Sequence, residues 1–312
     1  MGAYLFFYYI HRFMNVLVLG AGGLLGGNVV TDAAARDWEV VGTYHTEEPS
    51  FHSVRGPLYE LDLRDTDRFE AILDRTEPDA VINCGALTDV DGCEERPEEA
   101  RSINGRAPGE IARACAERSA AFAHVSTDYV FDGEARSPYE EADRTNPIQS
   151  YGASKLAGER AVRDAHERPL LVRLSFVYGV DRSTEELSGF PAWVRDRLRA
   201  GEETSLFTDQ RITPSRAGGA AGTILALLDE QATGTFHLAS RSCVTPHRFG
   251  ELIGERTNAA ADLLEGGSQS DVDRPADRPR YTCLDVGRVE EALGREQPTL
   301  SEDLDAIAEW LE

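Results

Sequence analysis

The chain has 312 residues, enough for one large α/β unit with a smaller lobe and a substantial buried core. Its 55 acidic against 32 basic residues give a formal net charge of −23, scattered along the chain rather than gathered in a tail. Such a surface argues against nucleic acid and anionic lipid as partners, and it suits a protein kept soluble in brine, where self-repulsion is screened.

Residues 1–13, MGAYLFFYYIHRF, are aromatic and apolar but too short to span a bilayer, and no cleavable small-residue site follows. A strand pattern opens directly at Met14. Residues 1–13 therefore read as an extension before the true start, with a short membrane-surface anchor as the alternative.

The apolar run 16–19 predicts a buried strand, followed by a glycine-rich turn and a helix through about residue 36. Strands are expected at 39–43, 58–63, 80–83, 121–126 and 170–176. Helices are expected at 66–75, 98–118 and 149–166. Strands alternating with helices of this length imply βαβ units on a parallel, doubly wound sheet of Rossmann type over residues 14–178. After Tyr178 the rhythm changes. A polar loop at 179–189, helices at 190–200 and 220–230, a short strand at 235–238 and a loop at 265–280 describe a smaller lobe. This lobe, residues 179–312, is expected to hold substrate and to interleave with the last strands of the sheet.

The five cysteines, Cys84, Cys93, Cys115, Cys243 and Cys283, are odd in number and form no CxxC. They read as small buried hydrophobes, with no disulfide framework and no zinc site, which favours the cytoplasm. No ligand cluster with recognised spacing predicts a metal.

Gly20-Ala-Gly22-Gly23-Leu24-Leu25-Gly26 lies where the first strand turns into the first helix. That context makes a glycine pattern a pyrophosphate site: a tight turn at Gly20, close backbone approach at Gly23, close helix packing at Gly26, and free N–H groups at the helix start. The second strand ends Gly-Thr43-Tyr-His45, without the carboxylate that would bind a ribose 2′-hydroxyl. This tilts the cofactor toward NADPH, with NADH as the alternative. Asp62 and Leu63 are placed to border the adenine.

Lys155 is the only lysine in the chain. It lies four residues after Tyr151 on a predicted helix, so the two share a face. A phenol of ordinary pKa is a poor acid–base catalyst near neutrality, and a neighbouring ammonium favours its ionised form. A chain that uses arginine elsewhere and keeps one lysine here needs an ammonium at this point. Upstream, Ser126 and Thr127 end an apolar strand, where a hydroxyl can meet a substrate oxygen beside Tyr151.

The GxxGxxG spacing resembles the extended short-chain dehydrogenase/reductases. The runs STDYVFDG (126–133), PYEEAD and YGASKLAGE (151–159) narrow this, as do PDAVINCGALTDVDGCEERPEEARSIN, RLSFVYG, residues 209–215, Arg278-Pro279 and Leu284-Asp285. Together they are similar to the dTDP-4-dehydrorhamnose reductase family over about residues 14–295. The resemblance implies NADPH-dependent reduction of the C4 keto group of a nucleotide-activated 6-deoxy sugar. Thr127, Tyr151 and Lys155 would be catalytic. Cys84, Gly85, Ala86 and Thr88 would join the glycine turn around the cofactor. Thr88, Val90, Asp128, Tyr129, Phe176, Arg211 and Arg278 would meet the substrate. Phe176 stands where the family usually has Trp, and Arg211-Ile212 where it has a small residue and Gly. Two rivals share the resemblance: a nucleotide-sugar epimerase or dehydratase, which would retain NAD, and a regulatory subunit like the β subunit of methionine adenosyltransferase. A homodimer is a further expectation.

Overall fold

Apolar runs alternate with amphipathic stretches, and each becomes a strand or helix of a layered sheet. The structure, a computed structural model, describes residues 14–52, 55–257 and 263–312. The expectations for residues 1–13 lie outside these. In the first half, β1 is Asn15–Leu19, α1 Leu24–Ala34, β2 Glu39–Tyr44, β3 Leu58–Glu60, α2 Thr66–Thr76, β4 Ala80–Asn83, α3 Val90–Glu95, α4 Pro97–Ala100, α5 Ala107–Glu117, β5 Ala121–Thr127, α6 Ser150–Ala165 and β6 Leu170–Leu174. In the second half, β7 is Val177–Asp181, β8 Glu186–Ser188, α7 Phe190–Arg199, β9 Thr204–Phe207, β10 Ser215–Arg216, α8 Ala217–Asp229, β11 Gly234–Leu238, α9 Pro246–Thr257, β12 Leu264–Gly267, α10 Gly287–Leu293, α11 Leu300–Asp305 and α12 Ala308–Leu311.

Seven strands form one parallel sheet in the order β11-β6-β5-β4-β1-β2-β3. This is the doubly wound arrangement expected from the rhythm, and β11 shows the second half returning to it. Val16, Leu17, Val18 and Leu19 have no exposed surface, because β1 sits in the middle with helices on both faces. One face packs α1 and α8 around Val29, Val30, Ile224 and Leu227. The other packs α2 and α5 around Phe69, Leu73, Ile111 and Phe122. Each such side chain contributes about 1.5–3 kcal/mol on burial. The smaller lobe has its own core, with Tyr178, Val194, Phe249, Ile253 and Leu304 under the sheets β10-β7-β8 and β12-β9.

Four expectations need correction. The long helix of 98–118 is broken: residues 101–106 form π-helical turns. Pro108 has no N–H to give the Asn104 carbonyl four residues earlier, so the ladder widens there. The polar loop of 179–189 is a hairpin, β7 with β8, whose residues Tyr178, Val180 and Leu187 are buried. The strand of 170–176 ends at Leu174, and Val177–Asp181 belongs to the smaller sheet, so the chain leaves the large sheet before Tyr178. Finally, Cys243 and Cys283 are joined by a disulfide, with Cα atoms 5.6 Å apart. Val244 bridges to Ile212 and Tyr281 to Arg211, so one short segment brings both cysteines together across 40 residues. Cys93 and Cys115 are the buried free thiols expected, and among the described residues no helix is long and apolar enough to cross a membrane.

Candidate active site

Outside the carboxyl ends of β1, β2, β4 and β5 lies a cleft of about 1020 Å³. A larger hollow of about 1400 Å³ opens at the opposite ends of the strands around Met14, Pro78 and Phe122. The first is the position where open parallel sheets take their ligands, and it holds the candidate chemistry.

At its floor, the glycine turn follows β1. Gly20 has φ +78°, a turn that side chains resist. A Cβ on Gly26 would stand 2.1 Å from the Gly20 carbonyl oxygen, so the helix can approach only without one. The outward glycines differ: a Cβ on Gly22 or Gly23 would find no protein atom nearer than 3.5 Å. Helix α1 starts without a side-chain cap and without an acid in its first turn, leaving its N–H donors to the cleft. Leu24 and Leu25 complete this wall.

The second wall comes from β2 and the segment after β3. Thr43 is buried, and its Oγ1 accepts from the Gly20 N–H at 3.3 Å. His45 is exposed and lies 3.7 Å from Asp62. Leu63 borders the same end. Arg64, which the pattern did not single out, also lines the cleft and forks onto Asp62 at 2.5 and 2.9 Å. This bond, ahead of the opposing effect of burial, draws the Asp62 carboxyl down to about 2. Beyond β4, Cys84, Gly85, Ala86 and Thr88 line the cleft, with Val90 at the start of α3. Burial pushes the Cys84 thiol up to about 12, so it is an inert wall. Arg96, Glu99 and Ile103 complete this side. Only the packing of the broken 97–117 helix across α6 brings them there. Asn104 anchors it, its amide bonded to both backbone groups of Leu87 and to Ser154.

Thr127, Tyr151 and Lys155 meet in the middle, Thr127 at the end of β5 and the pair on the first turns of α6. Gln149 caps that helix through the Gly152 N–H, and Gly152 seats against the Tyr129 carbonyl, where a Cβ would come within 2.0 Å. The Lys155 ammonium, 2 % exposed, donates to the Val125 carbonyl at 2.6 Å. Burial lowers its pKa to about 8, against the opposing charges of Glu159 and Cys84. Tyr151 departs from expectation. Burial raises its phenol well above the ordinary value, the Asp128 charge adds to this, and only the hydrogen bond with Thr127 pulls the other way. The ammonium does not overcome desolvation in the protein alone.

Asp128 and Tyr129 line the cleft as well. Asp128, however, is 3 % exposed, and its oxygens accept from Thr127 Oγ1 at 3.0 Å and Ser175 Oγ at 2.7 Å. Burial pushes the carboxyl up to about 6, opposed by the hydroxyls of Thr282, Ser175 and Thr127. Tyr129 meets the Tyr151 ring edge-on, centroids 6.2 Å apart. Phe176 lines the cleft in a left-handed conformation, φ +47°, held by Phe190 and Phe249.

Two expected substrate residues do not line the cleft. Ile212 takes the inward place, and neighbours in an extended segment point to opposite sides, so Arg211 is exposed. Arg278 is committed to Asp91, at 3.1 and 3.0 Å. Arg216 is bonded to Asp303 at 2.7 Å, away from the cleft. Arg173 is structural, paired with buried Glu159 at 2.8 and 2.9 Å.

Known proteins resemble this chain in sequence and in fold. The family described as RmlD substrate binding domain matches residues 14–312. A Haloferax volcanii protein named Probable low-salt glycan biosynthesis reductase Agl14 is 53% identical over 294 residues, covering 94% of this chain and 97% of that one. A dTDP-4-dehydrorhamnose reductase of Mycolicibacterium smegmatis is 33% identical, covering 89% and 80%. The crystal structure of a dTDP-4-dehydrorhamnose reductase from Clostridium acetobutylicum superposes with a TM-score of 0.84 at 28% identity, covering 96% of this chain and 99% of that one.

Proposed function

The chain belongs to the RmlD substrate binding domain family, and we propose that it is an NADPH-dependent reductase of nucleotide-activated sugars. Its substrate is the C4 ketone of a 6-deoxy sugar nucleotide, dTDP-4-dehydrorhamnose or a close analogue, and its product feeds glycan biosynthesis. The observation that carries this reading is the meeting of Thr127, Tyr151 and Lys155 in the cleft that also holds the glycine turn.

The residues fit a dinucleotide. Gly22 and Gly23 leave open the space that side chains would fill, beside the uncapped start of α1. Thr43, His45, Asp62, Leu63 and Arg64 would hold the adenosine end, and Cys84, Gly85, Ala86 and Thr88 the opposite wall. Absence of a carboxylate at the end of β2, with Arg64 at the same end, supports NADPH over NADH. When bound, the nicotinamide supplies the electrons of reduction. Tyr151 gives its phenolic proton to the sugar oxygen, and lowering of its pKa from the raised value it has in the protein alone is left to the cofactor-bound site. Lys155, fixed by Val125, presents its remaining N–H donors to hydroxyl groups in the cleft. Thr127 fixes the Tyr151 hydroxyl from the neighbouring strand end. Tyr129 and Phe176 offer aromatic surface for the sugar nucleotide.

The test is NADPH oxidation with a panel of nucleotide 4-keto-6-deoxy sugars at high KCl. Turnover with one or more supports the reading, and none with any overturns it. Tightly retained NAD with inversion at C4 would instead favour an epimerase.

A further inference from the structure

We propose that Asp91 is a positioning residue for the sugar nucleotide: through Arg278 it bolts segment 276–285 of the smaller lobe to the dinucleotide half, and so sets where that lobe's wall stands over the cleft. This rests on the reductase reading.

Asp91 lies in the first turn of α3, next to Val90, which lines the cleft. Its carboxylate takes three hydrogen bonds from the other lobe. Oδ1 accepts from the Ala276 N–H at 3.1 Å and from Arg278 Nη1 at 3.1 Å, and Oδ2 accepts from Arg278 Nη2 at 3.0 Å. A lone exposed ion pair contributes little, but a two-point fork onto a carboxylate is strong and directional. This one is shielded, with the Arg278 side chain 12 % exposed. Arg278 is also prearranged: Nη1 donates to the Ala276 carbonyl at 2.9 Å, which closes the turn before the fork reaches Asp91. One residue on, Pro279 seats against Gly133, where a Cβ would come within 2.5 Å of the proline ring.

From there the segment runs between the two halves. On one side the Tyr139 N–H donates to the Cys283 carbonyl and the Asp285 N–H to the Tyr139 carbonyl, each at 2.8 Å. On the other side the Arg211 N–H donates to the Arg280 carbonyl at 2.8 Å, the Thr282 N–H to the Arg211 carbonyl at 2.9 Å, and the Leu284 N–H to Thr213 Oγ1 at 3.0 Å. Ile212, between those two partners, lines the cleft with Tyr129, Tyr151 and Phe176. A sugar nucleotide there meets a wall whose place the bolted segment sets. The glycine turn and the ends of β2 and β4, which border the dinucleotide, belong to other elements. Loosening the bolt therefore acts on sugar-nucleotide binding and leaves the cofactor and Tyr151 in place.

The test compares Asp91→Ala, Arg278→Ala and the double variant with the native enzyme, using the nucleotide sugar that the native enzyme reduces. In each single variant KM for that sugar should rise about tenfold, because the competent arrangement is less populated. The kcat should stay within a few-fold, and NADPH affinity by fluorescence titration should be unchanged. The double variant should be little worse than either single one, since the two side chains act as a unit. Deuterium exchange should quicken over residues 280–285. Asp91→Asn, which keeps the shape of the side chain, replaces Asp91→Ala if the latter does not fold. Unchanged KM in the single variants overturns the proposal. Fully additive effects also overturn it, as does a loss of kcat and NADPH affinity as large as the rise in KM. If the native chain reduces no nucleotide sugar, the reductase reading falls and exchange decides the bolt alone: unchanged exchange over 280–285 in the Asp91 variant overturns it.

Discussion

Lys155 donates its ammonium to the carbonyl of Val125 at 2.6 Å, so the chain's single lysine is anchored by the strand beneath it. Tyr151, one helical turn earlier, instead meets the ring of Tyr129 edge-on, with centroids 6.2 Å apart. The two members of the pair are thus held by different elements, β5 for one and its continuation for the other.

Lys155→Arg should remove most turnover, because a planar guanidinium cannot take the place of a compact ammonium in a site 2 % exposed. Tyr151→Phe should cost about 10²–10⁴-fold in kcat. Both variants should still bind NADPH, measured by fluorescence titration. Turnover within a few-fold of the native enzyme in Tyr151→Phe would take the phenol out of the mechanism.

Asp128→Asn should be more stable than the native protein at pH 7. The folded carboxyl has a pKa raised from 3.8 to about 6, so between these values the folded state binds more protons than the unfolded one, and stability falls as pH rises. Above pH 6 the full cost, on the order of 3 kcal/mol, is present; below pH 4 it vanishes. Urea melts of the two proteins should therefore diverge between pH 4 and pH 6, with Asp128→Asn the stronger at neutrality. Parallel curves would contradict the buried charge.

Gly26→Ala tests the close packing of α1 on β1. A methyl group 2.1 Å from the Gly20 oxygen must push the turn or the helix away. A loss of about 1–3 kcal/mol in stability is expected, together with weakened NADPH binding. Gly22→Ala, whose added carbon would meet nothing nearer than 3.8 Å, should leave stability almost unchanged while reducing cofactor affinity. Equal stability losses in the two would show that the turn is not sterically constrained.

The Cys243–Cys283 disulfide closes a loop across 40 residues of sequence. Replacing both cysteines with serine should cost about 3–4 kcal/mol in an unfolding experiment. Mass spectrometry of the native protein under non-reducing conditions should find the linked peptides. Free thiols at both positions would remove the link.

A net charge of −23 gives the salt prediction. Raising KCl from about 0.01 M to about 1 M shortens the screening length from about 30 Å to about 3 Å. Melting temperature should rise across that range, and full stability at low salt would contradict a surface suited to brine.

The strands and helices of the large sheet, the glycine turn and the Tyr151/Lys155 pair were legible in the sequence. Each depends on short-range rules: apolar runs for buried strands, a turn that only glycine permits, and side chains four apart sharing a helix face. The remaining features depend on which distant segments meet. The inward turn of Ile212, and so the exposure of Arg211, follows from pairing with residues 244 and 281. That same pairing joins Cys243 to Cys283. Arg278 is taken by Asp91, 187 positions away, and Asp128 by Ser175, just past the end of β6. Sequence alone therefore determined the kind of fold and the residues that carry the candidate chemistry. Only the tertiary structure decided which charges are already paired, and so which groups remain free to act, because pairing is a property of proximity in space and no periodicity along the chain records it.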